Sequence, residues 1–314
     1  MLRYINMIKN FCCFLFVFTL WSSCESGTKS INTSSREFVF ESVKGIRYEE
    51  VKRRFKNRLS FNEEGFMQKP SWIIEVAAED TMMAWSPQKH RMQKFYLQYD
   101  HGNLYNFAAE FFKVKHISND SLVFQRVQVD GRLVASDVRS DVNMTFYAQN
   151  YIKNKLKTTA KQLQKPTKAD TNFIYKRAAA VNQKVDDGFA ATEPVQFIPK
   201  SKIVAIKKIS TIDKVANRTE SYDYMFPQYK ITINRAYKDF AYQATAIVDF
   251  QGGIHIQRVD GVLPEDAANK KKTVQAIADI YIRNLFNILP GTTLGIPHNS
   301  QITLMILGKA IKRP

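Results

Sequence analysis

The pattern of apolar and polar positions divides the chain into two stretches of different character. Between residues 37 and 165 most of it is short alternation, the two-residue period of a half-buried strand. Glu37–Val43 sets Phe38 and Phe40 on one side, and Trp72–Ala78, Thr81–Trp85 and Phe95–Tyr99 read the same way. Leu122–Val129 and Leu133–Val138 flank Asp130-Gly131, a hairpin dipeptide in which glycine accepts positive φ. Three stretches depart from alternation and predict helices. Tyr48, Val51, Phe55 and Leu59 recur at three- and four-residue steps, with Lys52, Arg53, Arg54, Lys56 and Arg58 on the other face. Leu104, Phe107, Ala108 and Phe111 follow Asn103, a suitable N-cap, and Ala148–Gln164 carries Lys153, Lys155, Lys157 and Lys161. The expectation is an antiparallel sheet or open barrel with packed helices, ending at Pro166.

From 166 to 201 the pattern is mixed, with a short helical stretch at Phe173–Val181. Lys202–Ile209 then reads as a strand. Tyr242–Phe250 and Ile254–Val259 flank Gln251-Gly252-Gly253 and predict a hairpin. After Pro264, the residues Val274, Ile277, Ala278, Tyr281, Leu285 and Ile288 give a helical stripe, which Leu289-Pro290-Gly291 stops. Ser300–Leu307 closes as a strand with Ile302, Leu304 and Ile306 on one face. The fold class expected is therefore α+β in two domains. A mainly antiparallel β domain with packed helices spans 37–165, a connector 166–201, and a ββαβ domain 202–314.

The first 24 residues decide where these domains reside. Arg3 and Lys9 precede an 11-residue apolar run, Phe11–Trp21, and Ser22-Ser23 lead to Cys24. As a helix the run rises only ~17 Å against a ~30 Å hydrocarbon layer, so it reads as a secretory leader (1–23) rather than a span. Residues 24–36, rich in Ser and Thr, read as a flexible tether. Cys12 and Cys13 leave with the leader, so beyond Cys24 there is no thiol for a disulfide, redox or metal site. Removing Arg3 and Lys9 from a net charge of +17 leaves +15. Behind a leader, such a charge points to anionic lipid or glycan surfaces rather than to nucleic acid.

Two resemblances follow from quoted residues. Leu20-Trp21-Ser22-Ser23-Cys24 resembles the lipobox of bacterial lipoproteins, which implies acyl chains on Cys24, membrane attachment through them, and residence in the cell envelope, at the outer membrane facing the periplasm. The hairpin, the helix and then Pro290-Gly291-Thr292-Thr293-Leu294-Gly295-Ile296-Pro297 ahead of a last strand resemble the C-terminal domain of TonB-type energy transducers. That resemblance implies a ββαβ shape whose final strand is a docking edge for an extended peptide, here Gln301, Ile302, Thr303, Leu304, Met305, Ile306 and Leu307. The chain lacks the family's long Pro-rich span and inner-membrane helix, so the resemblance extends to shape rather than to energy transduction.

No Gly-x-Ser-x-Gly, His-Glu-x-x-His or Gly-Lys-Ser/Thr phosphate loop occurs, and His90, His101, His116, His255 and His298 stand singly. Asp100-His101 is expected to lie in a loop with the two side chains apart. No catalytic residue, cofactor or metal ligand is therefore assigned. The reading is a lipid-anchored, non-enzymatic binding or scaffolding module with a protein or peptide partner. A carboxylate-dependent enzyme on an anionic envelope polymer and a signal-anchored transducer homologue are the alternatives.

Overall fold

A computed structural model describes residues 37–130, 133–134, 142–213 and 220–310. The leader, Cys24 and the tether thus lie outside the described residues. From Phe38 onward the chain is one compact unit of mixed α+β structure, mostly strands.

The first sheet is antiparallel throughout. Its strands are β1 (Arg47–Arg54), β2 (Ile73–Ala78), β3 (Thr81–Ser86), β4 (Arg91–Tyr96), β5 (Gln98–Tyr99), β6 (Leu104–Phe107), β7 (Glu110–Ile117) and β8 (Ser121–Val127). A short pair, β9 (Val129–Asp130) and β10 (Leu133–Val134), precedes β11 (Val142–Ala148). The sheet order is β4-β3-β2-β1-β11-β8-β7-β6-β5. Its two outer strands, β4 and β5, are separated only by buried Leu97, so one bent strand nearly closes the sheet into a barrel. The expected open barrel is therefore almost shut.

The interior is filled. Tyr48, Ile74, Met82, Phe107, Phe112, Phe124, Met144 and Phe146 are all buried in one cluster. Phe107 stacks on Phe112 at 4.8 Å, and Phe124 meets Phe146 at 5.3 Å. An eight-membered barrel is just wide enough for side chains to fill, and large aromatic rings fill this one. Phe40 and Val43, on a 3₁₀ turn rather than the expected strand, plug the end where the chain enters.

The predicted helix at Tyr48–Leu59 is strand β1, and the reason is a bulge. The register against β11 slips between Glu50 and Lys52, so Tyr48 faces the barrel interior while Val51 faces out. A strand buried on both faces, with one extra residue, imitates a three-residue step. The predicted helix at 103–111 is the β6–β7 hairpin. Its turn, Ala108-Ala109, has φ of 52° and 60°, and nothing in two alanines announces such a turn. Ala148–Gln164 is only partly helical: a π turn at Tyr151–Lys155, then α1 (Ala160–Leu163) capped by Thr159, with Lys157 at φ 50° between them.

Helix α2 (Lys168–Val181) begins at a capping box, Thr167 with Asp170. Beyond it come β12 (Gln196–Pro199), β13 (Val204–Ile209), α3 (Tyr222–Met225), β14 (Gln228–Ala236), β15 (Phe240–Val248) and β16 (Ile254–Val259). Then follow α4 (Ala267–Ile277), a π turn at Ala278–Ile282, α5 (Arg283–Leu285), β17 (Phe286–Leu289), β18 (Thr292–Thr293), β19 (Ile296–Pro297) and β20 (Ser300–Ala310). The second sheet has the order β13-β14-β20-β15-β16. One of its faces is buried: Ile231, Ala244, Ala246, Ile302, Leu304 and Ile306 form one cluster with Val274, Ile277 and Ile282 of the helical segment. The predicted hairpin and last strand are present; the predicted helix ends at Leu285 rather than at Leu289, because Phe286–Leu289 extends as β17 to pair with β12, which takes Ile288 out of the stripe.

Candidate functional site

The expected docking strand is not an edge. Gln301–Leu307 lies within β20, which pairs in parallel with β14 on one side and antiparallel with β15 on the other. Every backbone N–H and C=O of a central strand is engaged in its two ladders, so none is left for a peptide. The edge inferred for the final strand is occupied by the chain's own Gln228–Ala236.

The loop that carried the resemblance is also engaged. Leu294 and Ile296 pack against Phe61, Ile174, Val181 and Phe189. Thr292 exchanges backbone hydrogen bonds with Glu193. Buried Asn299 donates through Nδ2 to the Val181 and Lys184 carbonyls, closing the C-terminus of α2. His298 stacks flat on Phe189 at 3.6 Å, with Nε2 3.0 Å from Thr293 Oγ1. Burial lowers the His298 pKa to about 4; the hydrogen bond to the Asn299 carbonyl opposes this, and the Arg177 charge adds to it. This imidazole is neutral at pH 7 and structural.

The other histidines make no cluster, and among the described residues no group of three or more metal-ligating side chains occurs. Asp100 and His101 do touch, at 2.7 Å, because they lie at a turn rather than on extended backbone. Both are exposed. A pairing that sequence spacing did not suggest is His255 Nε2 to Asp249 Oδ2, 2.8 Å, across the β15–β16 hairpin. Burial tends to raise the Asp249 pKa, but the His255 side chain and the Gly253 and Gln251 N–H groups outweigh it and hold the carboxyl below its usual range. The pair braces a turn.

The basic residues expected on a helix face divide into two groups. Arg53 forks onto buried Glu50 with two 2.7 Å bonds, and Glu50 also accepts from the Ser71 and Trp72 N–H groups. Arg54 stands 3.6 Å from buried Asp170, which accepts from the Ser60 and Thr167 N–H groups. Burial alone would raise the Asp170 pKa; those hydrogen bonds and Arg54 lower it instead. These arginines are counterions to inner carboxylates.

The lysines after β11 are different. From Ala148 to Ala169 there is no acidic residue and there are six lysines: Lys153, Lys155, Lys157, Lys161, Lys165 and Lys168. All six are exposed. The segment runs back along the outside of β1, held by Ile152 and Ala160 buried on Val51 and by Gln164 Nε2 donating to the Glu50 carbonyl at 2.8 Å. Anchored on its apolar side, it presents ammonium groups and Leu156 (38 % exposed) to solvent. Among the described residues none of the six lysines makes an ion pair. The segment starts at Gln149 and Asn150, which line a shallow cavity with Gly45, Ile46 and Arg47, at the barrel end where the chain enters. The carboxylates behind it, Glu50 and Asp170, are already satisfied and do little to cancel its field.

No family profile and no curated protein matches this chain. Among solved structures, the bovine lipocalin allergen Bos d 2 is similar over 44 % of this chain and 85 % of its own, at 14 % identity and a TM-score of 0.23. Among the described residues no helix is long and apolar enough to cross a membrane.

Proposed function

We propose that the chain is a lipid-anchored envelope protein that acts as a non-enzymatic binding or scaffolding module, acylated at Cys24 and facing the periplasm from the outer membrane. In this reading a barrel domain (37–165) and a TonB-C-like domain (202–314) are joined by the connector 166–201. The observation that carries it is the six-lysine segment 153–168, exposed, without an ion pair among the described residues, and beginning at the barrel end that holds Phe40 and Val43. From Cys24 to Phe38 the chain is 14 residues, reaching ~50 Å at full extension, so an anchored barrel stays within reach of the head groups. Each lysine near an anionic leaflet contributes about 1 kcal/mol, falling off over a Debye length of ~8 Å. The segment thus orients the barrel on the membrane that holds it.

The TonB-C-like half gives the proposal its scaffolding aspect. With β14 lying in the position of a docked peptide, that half is self-complemented rather than open to a strand.

The test uses the protein from Glu25 onward, free of the leader and of Cys24. Mixed with vesicles of phosphatidylglycerol and phosphatidylethanolamine, it should co-sediment at low salt and release at about 0.5 M salt, where the Debye length falls to ~4 Å. It should ignore phosphatidylcholine vesicles, and K153E/K155E/K157E should abolish binding. Binding that survives the triple reversal overturns the orienting role; a Cys24→Ser chain whose leader is removed as in the wild type and that still sediments wholly with membranes overturns the anchor.

A further inference from the structure

Three aromatic side chains stand in a row at one end of the second sheet. Tyr237 lies in the short connection between β14 and β15, and Phe240 and Tyr242 follow on β15. The ring centroids are 5.9 and 5.8 Å apart, with planes inclined by 34° and 26°. Phe240 pairs opposite Gly308 of β20, and a Cβ at Gly308 would run into three atoms of the Phe240 ring. The ring therefore lies across the sheet over the glycine, an arrangement in which an aromatic side chain covers backbone that has no side chain of its own. Phe240 and Tyr242 stack on each other and pack on the core of the second sheet, and Tyr237 tilts against Phe240 as the exposed end of the row, which is called the shelf below.

Cations close the shelf at both ends. Lys238 Nζ stands 5.5 Å from the Tyr237 centroid, and Lys270 Nζ, on α4, stands 6.0 Å from that of Tyr242. Tyr237 is 60 % exposed, and Phe240 and Tyr242 are half-buried. The carboxylate of this connection, Asp239, is turned to the Ala310 N–H at 2.7 Å and leaves the lysines alone. Among the described residues the hydroxyls of Tyr237 and Tyr242 have no hydrogen-bond partner. The Tyr281 hydroxyl accepts from the Tyr237 N–H at 3.2 Å and keeps its own proton to donate.

Flat rings ending in ammonium groups, with phenol hydroxyls around them, suit a ligand that has flat C–H faces, many hydroxyls and negative charge. We propose that the Tyr237–Phe240–Tyr242 shelf binds an acidic oligosaccharide. A pyranose ring stacks on exposed Tyr237, and its neighbours' carboxylates meet Lys238 and Lys270. This site is separate from the lysine segment on the barrel and does not depend on the acyl anchor.

The experiment is calorimetric titration of the Cys24→Ser chain with hexagalacturonate, using cellohexaose, oligothymidylate and phosphatidylglycerol vesicles as comparisons. Hexagalacturonate should bind, and cellohexaose should bind more weakly. Y237A should lose about tenfold in affinity, the scale of one aromatic stacking contact. Because Phe240 also covers Gly308, the decisive variants are Y237A and K238E/K270E, which remove exposed groups and should keep the wild-type circular dichroism. K238E/K270E should bring hexagalacturonate down to the affinity of cellohexaose. Absence of hexagalacturonate binding at millimolar concentration, or wild-type affinity in both decisive variants, overturns the proposal. Tighter binding of oligothymidylate or of vesicles through the same residues overturns it in favour of those ligands.

Discussion

The two sheets solve the same problem in opposite ways. Each contains strands whose outer backbone groups would pair with any passing chain. The barrel removes its edges by bending one strand at Leu97 so that β4 rests on β3 and β5 on β6. The second sheet stays open and places its last strand, β20, in the middle. Its rim is guarded by side chains: Gln275 accepts from the Ile256 N–H and donates to the Ile254 carbonyl, both at 2.8 Å, so an amide on α4 stands in for a neighbouring strand along β16. At β13 the exposed Lys207 and Lys208 put charge on the other rim. The closed sheet depends on local hairpins and on one distant ladder, β1 with β11; the open one depends on whatever fills its centre.

The largest expected effect tests that dependence. A chain ending at Asn299 loses Ile302, Leu304 and Ile306 from the core and leaves β14 and β15 without a common neighbour. Limited proteolysis should digest residues beyond about 200 while a fragment near 37–165 survives. Loss of both parts together would show that the barrel leans on the second sheet.

Next comes pH. His298 is neutral when buried, with its pKa near 4, whereas the unfolded imidazole titrates near 6.5. The unfolded chain therefore binds the extra proton first, and stability falls as pH drops from about 6.5 toward 4. The full difference is about 3 kcal/mol. Asp170, held below its usual range, adds a loss at still lower pH, as its carboxylate is protonated. Denaturant midpoints of His298→Gln between pH 7 and 4 should show a flatter slope than wild type, since only the junction under the second sheet carries this histidine.

A smaller effect attends the rim. Gln275→Ala should cost about 1–2 kcal/mol through two lost hydrogen bonds and promote concentration-dependent association. A barrel substitution of equal cost should not, having no edge to expose. Sedimentation velocity separates the two. The smallest effect is a gain: Asn-Gly in place of Ala108-Ala109 suits a turn with two positive φ angles, and should raise stability by about 1 kcal/mol in thermal melts.

The second sheet was easier to read than the barrel. Strand β20 obeys one period because it buries one face only, and β15, β16 and the α4 stripe keep theirs over most of their length, up to Ile247, the bulge at Gln257 and the π turn at Ala278–Ile282. The barrel misled at Tyr48–Leu59, where the bulge at Val51 and burial on both sides of β1 mixed two periods, and at Ala108-Ala109, which has no turn chemistry. Periodicity also says nothing of sheet order. Ile302, Leu304 and Ile306 would alternate equally well on a rim, so the central position of β20 was invisible until β14 was placed beside it. The lysine segment was visible as charge; that Ile152 and Ala160 pin it to Val51, turning it into a surface, was not. The aromatic shelf joins positions 237, 242, 270 and 308, which only the fold brings together.

The central placement of β20 also sets an order of events in time. Barrel strands that follow one another mostly pair at once, and one ladder alone, β1 with β11, joins residues 89 (Arg54 to Asn143) to 100 (Tyr48 to Ala148) apart and closes that half at its end. β14 and β15 are consecutive yet do not pair; their shared partner β20 arrives between 52 (Val248 to Ser300) and 75 (Gln228 to Thr303) residues later. Such distant closures are slow. During the wait two apolar strands stand side by side with a gap between them, a vacancy cut to the shape of one particular segment, and the late arrival of that segment is the step at which this half of the molecule becomes whole.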